Sequence, residues 1–291
     1  MKVLNFGSLN IDYVYDVSHI LKPGETISSM NMNIYPGGKG LNQSIALGKA
    51  GAPVYHAGLV GDEGELLLTA CAQGNVDTSY VKCLKEKSGH TIIQVDEKGQ
   101  NCILLFAGTN RMITKEFVDE VLKNFEKGDI LLLQNEINEL PYIVDEGYRK
   151  GLKIVLNPSP FDDHLKEVDF DKISYFLINE IEGEQMTGYQ EKEKILVELK
   201  KLYPQATVVL TLGSEGAIYQ SKEQQIYQKP IPVKAVDTTA AGDTFTGYFI
   251  TSIIEEMTPE EGMLLATKAA AIAVQRKGAA PSIPYRKELV N

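Results

Sequence analysis

The chain of 291 residues contains only three cysteines, Cys71, Cys83 and Cys102, and no two of them stand at a paired spacing. That rules out a C-x-x-C zinc cluster and a disulfide framework, and it fits a reducing compartment. No apolar run approaches the roughly 20 residues that a membrane helix requires. The first residues enter a strand-like run, Val3-Leu4-Asn5-Phe6-Gly7, without the basic region and long apolar stretch of a leader. The expected location is therefore cytoplasmic, with no membrane partner. No Lys/Arg cluster is denser than Arg276-Lys277 or Arg286-Lys287, and the net charge is −10, so no nucleic-acid surface is expected. An acidic chain can still hold phosphate, because local N–H donors and a divalent metal supply the attraction. Three nucleotide signatures are also missing: G-x-x-x-x-G-K-[ST], a G-x-G-x-x-G after the first strand, and the H-R-D with D-F-G pair. A P-loop enzyme is excluded, and a dinucleotide fold is disfavoured.

What is present is an ordinary globular composition, 43% apolar and 23% charged. The length is near the upper size for one hydrophobic core, so one large domain with at most a small appendage is expected. From about residue 40 the apolar pattern alternates between helical and strand periods. Helices are predicted at 41–50, 64–73, 114–125, 140–149 and 191–202, and strands at 55–60, 129–133, 152–156, 175–178 and 207–211. This βαβ rhythm predicts an α/β fold with a mainly parallel sheet covered on both faces. Two further helices are predicted at 242–257 and 259–274, the latter opened by Thr258-Pro259. Two stretches break the rhythm. Residues 12–36 lack a helix and carry β-type residues, and Thr91–Val95 with Cys102–Phe106 read as a hairpin around Asp96–Asn101. These strands form either a lid over a site or an antiparallel extension of the main sheet.

Two segments carry chemistry. In Val236-Asp237-Thr238-Thr239-Ala240-Ala241-Gly242-Asp243-Thr244-Phe245, small residues end at an acidic residue that opens a long apolar helix. Free N–H groups at such a start hold an anion, and small side chains let a phosphate approach. Asp243 beside that anion hole can accept a proton from an attacking hydroxyl. It can equally be a plain helix-start charge, and the segment alone leaves both readings open. In Pro36-Gly37-Gly38-Lys39-Gly40-Leu41-Asn42-Gln43, glycines near a helix start permit close backbone approach to a ligand. Asn42 can bond a hydroxyl and Lys39 can face a phosphate, although the segment alone is also a simple glycine-rich turn.

Together with Gly7-Ser8-Leu9-Asn10-Ile11-Asp12, these segments resemble the ribokinase (PfkB-type) carbohydrate kinase family. The likeness continues in order through Gly61-Asp62, Asn157-Pro158, Asn179-Glu180-Ile181-Glu182, Thr211-Leu212-Gly213-Ser214-Glu215-Gly216 and Arg276–Ser282, so it runs essentially end to end. The resemblance implies a three-layer α/β/α kinase domain over residues 1–291, with a small β-sheet lid from about 12–36 and 88–107. It implies that Asn10, Asp12, Gly38, Lys39, Asn42 and Glu136 hold a sugar, that Asp243 is the base, and that Ala240, Ala241 and Gly242 form the anion hole. Asn179, Thr211, Gly213, Ser214, Gly216 and Gly242 match positions that line ATP. Glu182 matches a residue that organises magnesium through water. Asp237, Thr239, Ala273, Arg276, Gly278 and Ser282 match an all-oxygen potassium site beside the anion hole. A homodimer joined through the lid strands is implied as well.

Three positions depart from the family pattern: Leu41, Asn135 and His90. His90 either reaches a substrate hydroxyl or is a half-exposed strand residue. The expected reaction is ATP-dependent phosphorylation of the ribose 5-hydroxyl. The same chemistry on deoxyribose, another sugar or a nucleoside is the alternative, and a catalytically silent sugar-binding protein is the reading from another class. Retention of Asp243 and the small-residue run weighs against the silent protein.

Overall fold

The computed structural model describes residues 1–289. Its first strands are β1 (Val3–Phe6), β2 (Asn10–Val17), β3 (Asn31–Gly37), β4 (Val54–Val60), β5 (Asp77–Cys83), β6 (Gly89–Asp96) and β7 (Asn101–Phe106). Then follow β8 (Ile130–Gln134), β9 (Lys153–Asn157), β10 (Tyr175–Asn179), β11 (Thr207–Thr211), β12 (Ala217–Gln220) and β13 (Gln225–Gln228). The helices are α1 (Lys39–Ala50), α2 (Glu65–Gln73), α3 (Lys115–Leu122), α4 (Leu140–Arg149), α5 (Glu180–Thr187), α6 (Lys192–Leu202), α7 (Ala241–Ile254) and α8 (Pro259–Ala273).

A nine-stranded sheet runs β13-β12-β11-β10-β9-β8-β1-β4-β5. Every pair from β5 across to β11 is parallel, and only the β11-β12-β13 edge is antiparallel. Strands β1 and β8 are buried along their whole length, as expected of parallel strands sandwiched between helices. Side chains alternate between the two faces with period two. Val3, Ile130 and Leu132 join the core under α1, α7 and α8, whereas Leu4, Leu131 and Leu133 join the core under α3, α4 and α6. This is the predicted α/β/α sandwich.

The chain leaves β1 toward β4 and β5, then returns to build β8 on the other side of β1. The carboxyl ends of β1 and β8 therefore flank a topological switch point, where doubly wound sheets bind ligands. Gly7-Ser8 and Asn135-Glu136 sit there by construction. Helices α1 and α7 cross closely on one face of the sheet, and a Cβ built on Gly247 would lie 2.4 Å from the Ala46 Cβ. Only glycine permits that approach. It brings the first turn of α7 against the first turn of α1.

The interrupting strands form a separate four-stranded sheet, β3-β2-β6-β7, and not an extension of the main one. The predicted hairpin is present as β6-β7, and β2-β3 is a second antiparallel pair. The central pairing, β2 with β6, is parallel, so the small sheet is mixed. The antiparallel extension of the main sheet comes instead from β12-β13, which periodicity did not reveal. Strand β5 and helix α5 were likewise not predicted. Among the described residues, no helix is long and apolar enough to cross a membrane. All three cysteines are free; Cys71 is buried, and Cys83 and Cys102 are exposed.

Candidate active site

A cleft of about 220 Å³ lies at the start of α7, lined by Lys39, Asn157, Asn179, Glu182, Thr211, Thr238, Ala240, Gly242 and Asp243, with Leu177, Ile178, Phe245 and Thr246 beneath. Seven of the predicted site residues thus converge from four places in the sequence. Asp243 is buried in the first turn of α7. Its Oδ2 accepts from Asn42 Nδ2 at 3.1 Å and its Oδ1 from Gln43 Nε2 at 2.9 Å. A carboxylate offers about four lone-pair positions, so two remain for a substrate hydroxyl.

The turn before α7 is held by Ala240, which adopts φ 59°, a left-handed conformation. Its carbonyl accepts from the Thr244 N–H and the Thr244 hydroxyl, both at 2.8 Å. The Ala241 N–H is consumed by the Thr238 carbonyl at 3.2 Å. The N–H groups of Ala240, Gly242 and Asp243 have no partner among the described residues, and those of Gly242 and Asp243 lie at the positive end of the helix dipole. A Cβ built on Gly242 meets nothing within 4 Å, so the space before it is open to a ligand. Of the three residues expected to form the anion hole, Ala240 and Gly242 keep free N–H groups, and Ala241 gives its N–H to the turn.

Opposite Asp243 stand Asn179 and Glu182. Asn179 ends β10 and caps α5: its Oδ1 accepts from the Glu182 N–H at 2.9 Å, and Glu182 Oε2 accepts from the Asn179 N–H at 2.9 Å. Glu182 Oε1 also accepts from Asn179 Nδ2 at 3.1 Å. The N-x-x-E spacing is therefore a capping box, which fixes the carboxylate at the cleft wall. Thr211 ends β11 and donates its hydroxyl to the Ile178 carbonyl at 3.2 Å. Gly213 and Gly216 follow with φ 53° and 102° around Ser214, a tight loop outside the cleft proper.

The residues expected to hold a sugar gather at the switch point. Ser8 Oγ donates to Glu136 Oε2, and the same oxygen accepts from the Lys39 N–H at 3.0 Å, tying the ends of β1 and β8 to the start of α1. Gly38 has φ 94°, and a Cβ there would press on the Asn10 N–H and the Ser8 Oγ at 3.1 Å. Burial alone would lower the Lys39 ammonium, but Asp243, Glu136 and Glu182 around it outweigh that and hold it above the usual lysine value. Asp12 lies on β2. Its Oδ1 accepts from the Thr91 hydroxyl at 2.6 Å, and burial, with a smaller push from Glu136, raises its pKa to about 6. Asn10 Oδ1 accepts from Asn110 Nδ2 at 2.7 Å, which leaves its own amide N–H groups to face a ligand. Asn42, expected to bond a sugar hydroxyl, gives one N–H to Asp243 and keeps a buried, unpartnered Oδ1.

His90 is half-buried on β6. Its ring lies between Tyr13 and Phe106, with centroids 6.0 Å and 4.9 Å away, and its Nδ1 bonds the Ser88 carbonyl at 3.1 Å. It pairs across from Ile11, one register step from Asp12 and Thr91, and so faces away from them. Asn135 turns from the site to hold the Pro160 carbonyl at 2.6 Å and Asp162 at 2.9 Å. Leu41 is core.

Asp237 ties the strand-less segment before α7 to the loop after α8. Its Oδ1 accepts from the Thr239 N–H (2.9 Å) and hydroxyl (2.6 Å), and its Oδ2 accepts from the Gly278 N–H at 2.9 Å. Burial opposes ionisation of Asp237, but these donors win and hold its pKa below the usual carboxylate range. The Ser282 hydroxyl, fully buried, donates to the Ala279 carbonyl, and the Arg276 N–H to the Ala273 carbonyl.

The sequence reading missed three amides, the buried Gln43 and Gln134 and the half-buried Asn157, although two of them lay inside quoted motifs. Gln43 and Gln134 are fully buried, and a buried amide demands partners.

Comparison with known proteins agrees with this geometry. A model of the "pfkB family carbohydrate kinase" family matches residues 1–286. A curated ribokinase of Haemophilus influenzae is 35% identical over 97% of this chain and 95% of its own length. The crystal structure of a Thermotoga maritima ribokinase superposes with a TM-score of 0.89 at 34% identity, covering 99% of this chain and 98% of the other. An Arabidopsis thaliana ribokinase complexed with ribose and ATP superposes with a TM-score of 0.89 at 30% identity, covering 99% and 97%. With the family model matching residues 1–286 and a relative 35% identical over 97% of the chain, and with a carboxylate, free N–H groups and a lysine lining one cleft, the chain belongs to the pfkB family of carbohydrate kinases.

Proposed function

We propose that the protein transfers the γ-phosphoryl group of ATP to the 5-hydroxyl of D-ribose, giving D-ribose 5-phosphate and ADP. The observation that carries this reading is Asp243, buried at the start of α7, held on both oxygens by amides and set beside two free N–H groups. Transfer through a loose transition state needs mostly positioning and charge stabilisation. Asn10, Asp12, Gly38, Lys39 and Glu136 orient the sugar, with Asp12 and Glu136 accepting from its hydroxyls. Asp243 takes the proton of the attacking hydroxyl as its oxygen bonds phosphorus and the bond to the ADP oxygen breaks. The Gly242 and Asp243 N–H groups and the Lys39 ammonium face the negative oxygens of the transferred group. Asn179, Thr211, Gly213, Ser214 and Gly216 line the path of the nucleotide.

The donor sets fit two metals. Both Glu182 oxygens are committed to the α5 cap, which suits holding the water shell of a magnesium ion and not direct ligation; magnesium would supply charge neutralisation on the phosphates. Asp237, with oxygens of Thr239, Ala273, Arg276, Gly278 and Ser282, offers a hard, all-oxygen set that fits potassium. A potassium ion there would stiffen the turn leading to Ala240 without touching substrate.

The small sheet carries Asp12 and Thr91 on one face and acts as a lid that excludes water when sugar binds. Its exposed apolar residues, among them Ile34, Leu104 and Phe106, support a lid-to-lid homodimer. Sedimentation that returns a monomer at micromolar concentration removes the dimer from the proposal. The free cysteines support a cytoplasmic location.

ADP release measured over pentoses, deoxyribose, hexoses and nucleosides tests the reading. Ribose is expected to give the highest rate, and Asp243→Asn to lose at least ~10²-fold, the scale of a positioned base. A higher rate on deoxyribose or a nucleoside would move the acceptor, and binding without turnover would favour a silent sugar-binding protein.

A further inference from the structure

Asp243 is the end of a continuous chain of buried amides whose direction can be read without ambiguity. Asn5 Nδ2 meets the Gly40 carbonyl at 2.8 Å, and a carbonyl only accepts. Asn5 must therefore turn its Oδ1 toward Gln134 Nε2, at 3.1 Å. Gln134 Nε2 in turn donates to Gln43 Oε1 at 2.6 Å, which leaves Gln43 Nε2 to face Asp243. The opposite end gives the same answer. Asn157 Nδ2 donates to the Leu177 carbonyl at 2.8 Å, so Asn157 Oδ1 faces Gln43 Nε2 at 3.1 Å. The two N–H bonds of Gln43 are thus both spent, one on Asp243 and one on Asn157. The second Asn157 N–H reaches Glu182 Oε2 at 3.5 Å.

The remaining end of the chain is closed as well. Asn5 gives its other N–H to Ser44 Oγ at 2.8 Å, and the Ser44 hydroxyl donates to Nδ1 of the neutral His56 ring, also at 2.8 Å, because the Gly7 carbonyl beyond it requires the ring proton on Nε2. His56 Nε2–H then donates to the Gly7 carbonyl at 3.1 Å. The ring must be neutral for this, and burial agrees by lowering its pKa to about 4. Asn5, Gln43, Ser44, His56 and Gln134 are all fully buried. None of them has an N–H left for substrate.

We infer that Gln43 is a positioning residue for phosphoryl transfer: its amide, locked by Gln134, fixes the Asp243 carboxylate and couples it through Asn157 to the Glu182 carboxylate across the cleft. This rests on the reading of Asp243 as the base. Asn42 holds the other oxygen, but its amide is anchored on one side only, since its Oδ1 has no partner. Gln43 is the group that links the base to the scaffold, and the charged residues facing Asp243 across the cleft are Lys39, Glu136 and Glu182.

The test is a double-mutant cycle of Gln43→Leu and Asp243→Asn, followed by ADP release at saturating ribose and ATP. In the wild-type background Gln43→Leu is expected to lower kcat by about tenfold to a hundredfold, the scale of a ~1 Å misplacement, with KM for ribose within about threefold. In the Asp243→Asn background the same change should cost under about twofold, because the group it positions is gone. Gln43→Glu preserves the buried volume but faces Asp243 with a second carboxyl group; it should also lose kcat, and it carries the test if the leucine variant does not accumulate. Wild-type kcat in Gln43→Glu, equal losses in both backgrounds, or a loss shared between kcat and KM overturns the inference. Near-normal activity of Asp243→Asn by itself overturns instead the reading of the base.

Discussion

Replacing Asp12 by asparagine is expected to stabilise the protein while damaging sugar binding, and the pH dependence shows why. The Asp12 carboxyl is raised from 3.8 to about 6, first by burial and then by Glu136, against the lowering effect of the Thr91 hydroxyl. Between these values the folded state binds more protons than the unfolded chain, so stability falls as pH rises from about 4 to about 6 and stays reduced above. At ~1.36 kcal/mol per pKa unit the cost of ionised Asp12 at neutral pH is about 3 kcal/mol. Asparagine removes that cost and keeps an oxygen for Thr91, which donates at 2.6 Å. Allowing for imperfect replacement, a gain of about 1–2 kcal/mol is expected at pH 7.5, a rise of several degrees in Tm. Below about pH 4 the variant and the wild type should melt alike. A charged acceptor for a sugar hydroxyl is lost, worth about 1.5–3 kcal/mol, so KM for ribose should rise by at least about tenfold. Calorimetric melting of both proteins between pH 4 and 8 reads the first effect, and initial rates the second. A variant that melts below the wild type at pH 7.5, or a difference independent of pH, would refute the reasoning.

Two other perturbations follow from the fold. Gly247→Ala places a methyl group where 2.4 Å separates it from the Ala46 Cβ; it should destabilise by about 1–3 kcal/mol and lower kcat by separating Asp243 from Asn42 and Gln43, read by melting and ADP release together. An unchanged Tm would mean that the helices are not in contact there. Asp237→Ala should abolish any stimulation by potassium over a bulky organic cation salt, while leaving KM for ribose near its original value. Equal wild-type rates in the two salts would remove the cation site.

Much of this arrangement was legible because it is local. The glycines and Lys39 precede α1, the small residues precede α7, and Asn179 and Glu182 form one capping box, so each carries its signature within a few residues. The α/β alternation was legible for the same reason. What escaped is what depends on partners far away. Gln43 looks like an ordinary polar residue in a helix, yet its role comes from Asp243, 200 residues on. Gln134 ends a run of leucines and reads as a strand end. The bond from Asn42 to Asp243, 201 residues away, escaped for the same reason. The edge strands β5, β12 and β13 were missed because short, partly polar edges show neither a clean alternation nor a continuous apolar run. His90 sits one register step from Thr91, and only the pairing shows which face it takes.

The parallel pairing of β2 with β6 has a kinetic meaning. Each antiparallel pair of the small sheet, β2-β3 and β6-β7, closes a short loop and can form early. Joining them requires β2 and β6 to meet after the chain has run through α1, β4, α2 and β5. That loop closes only at an entropic cost, which is smallest once the intervening strands have already docked on β1. The small sheet is thus assembled on a finished floor, and its strands can part without unravelling the layer that holds Asp243.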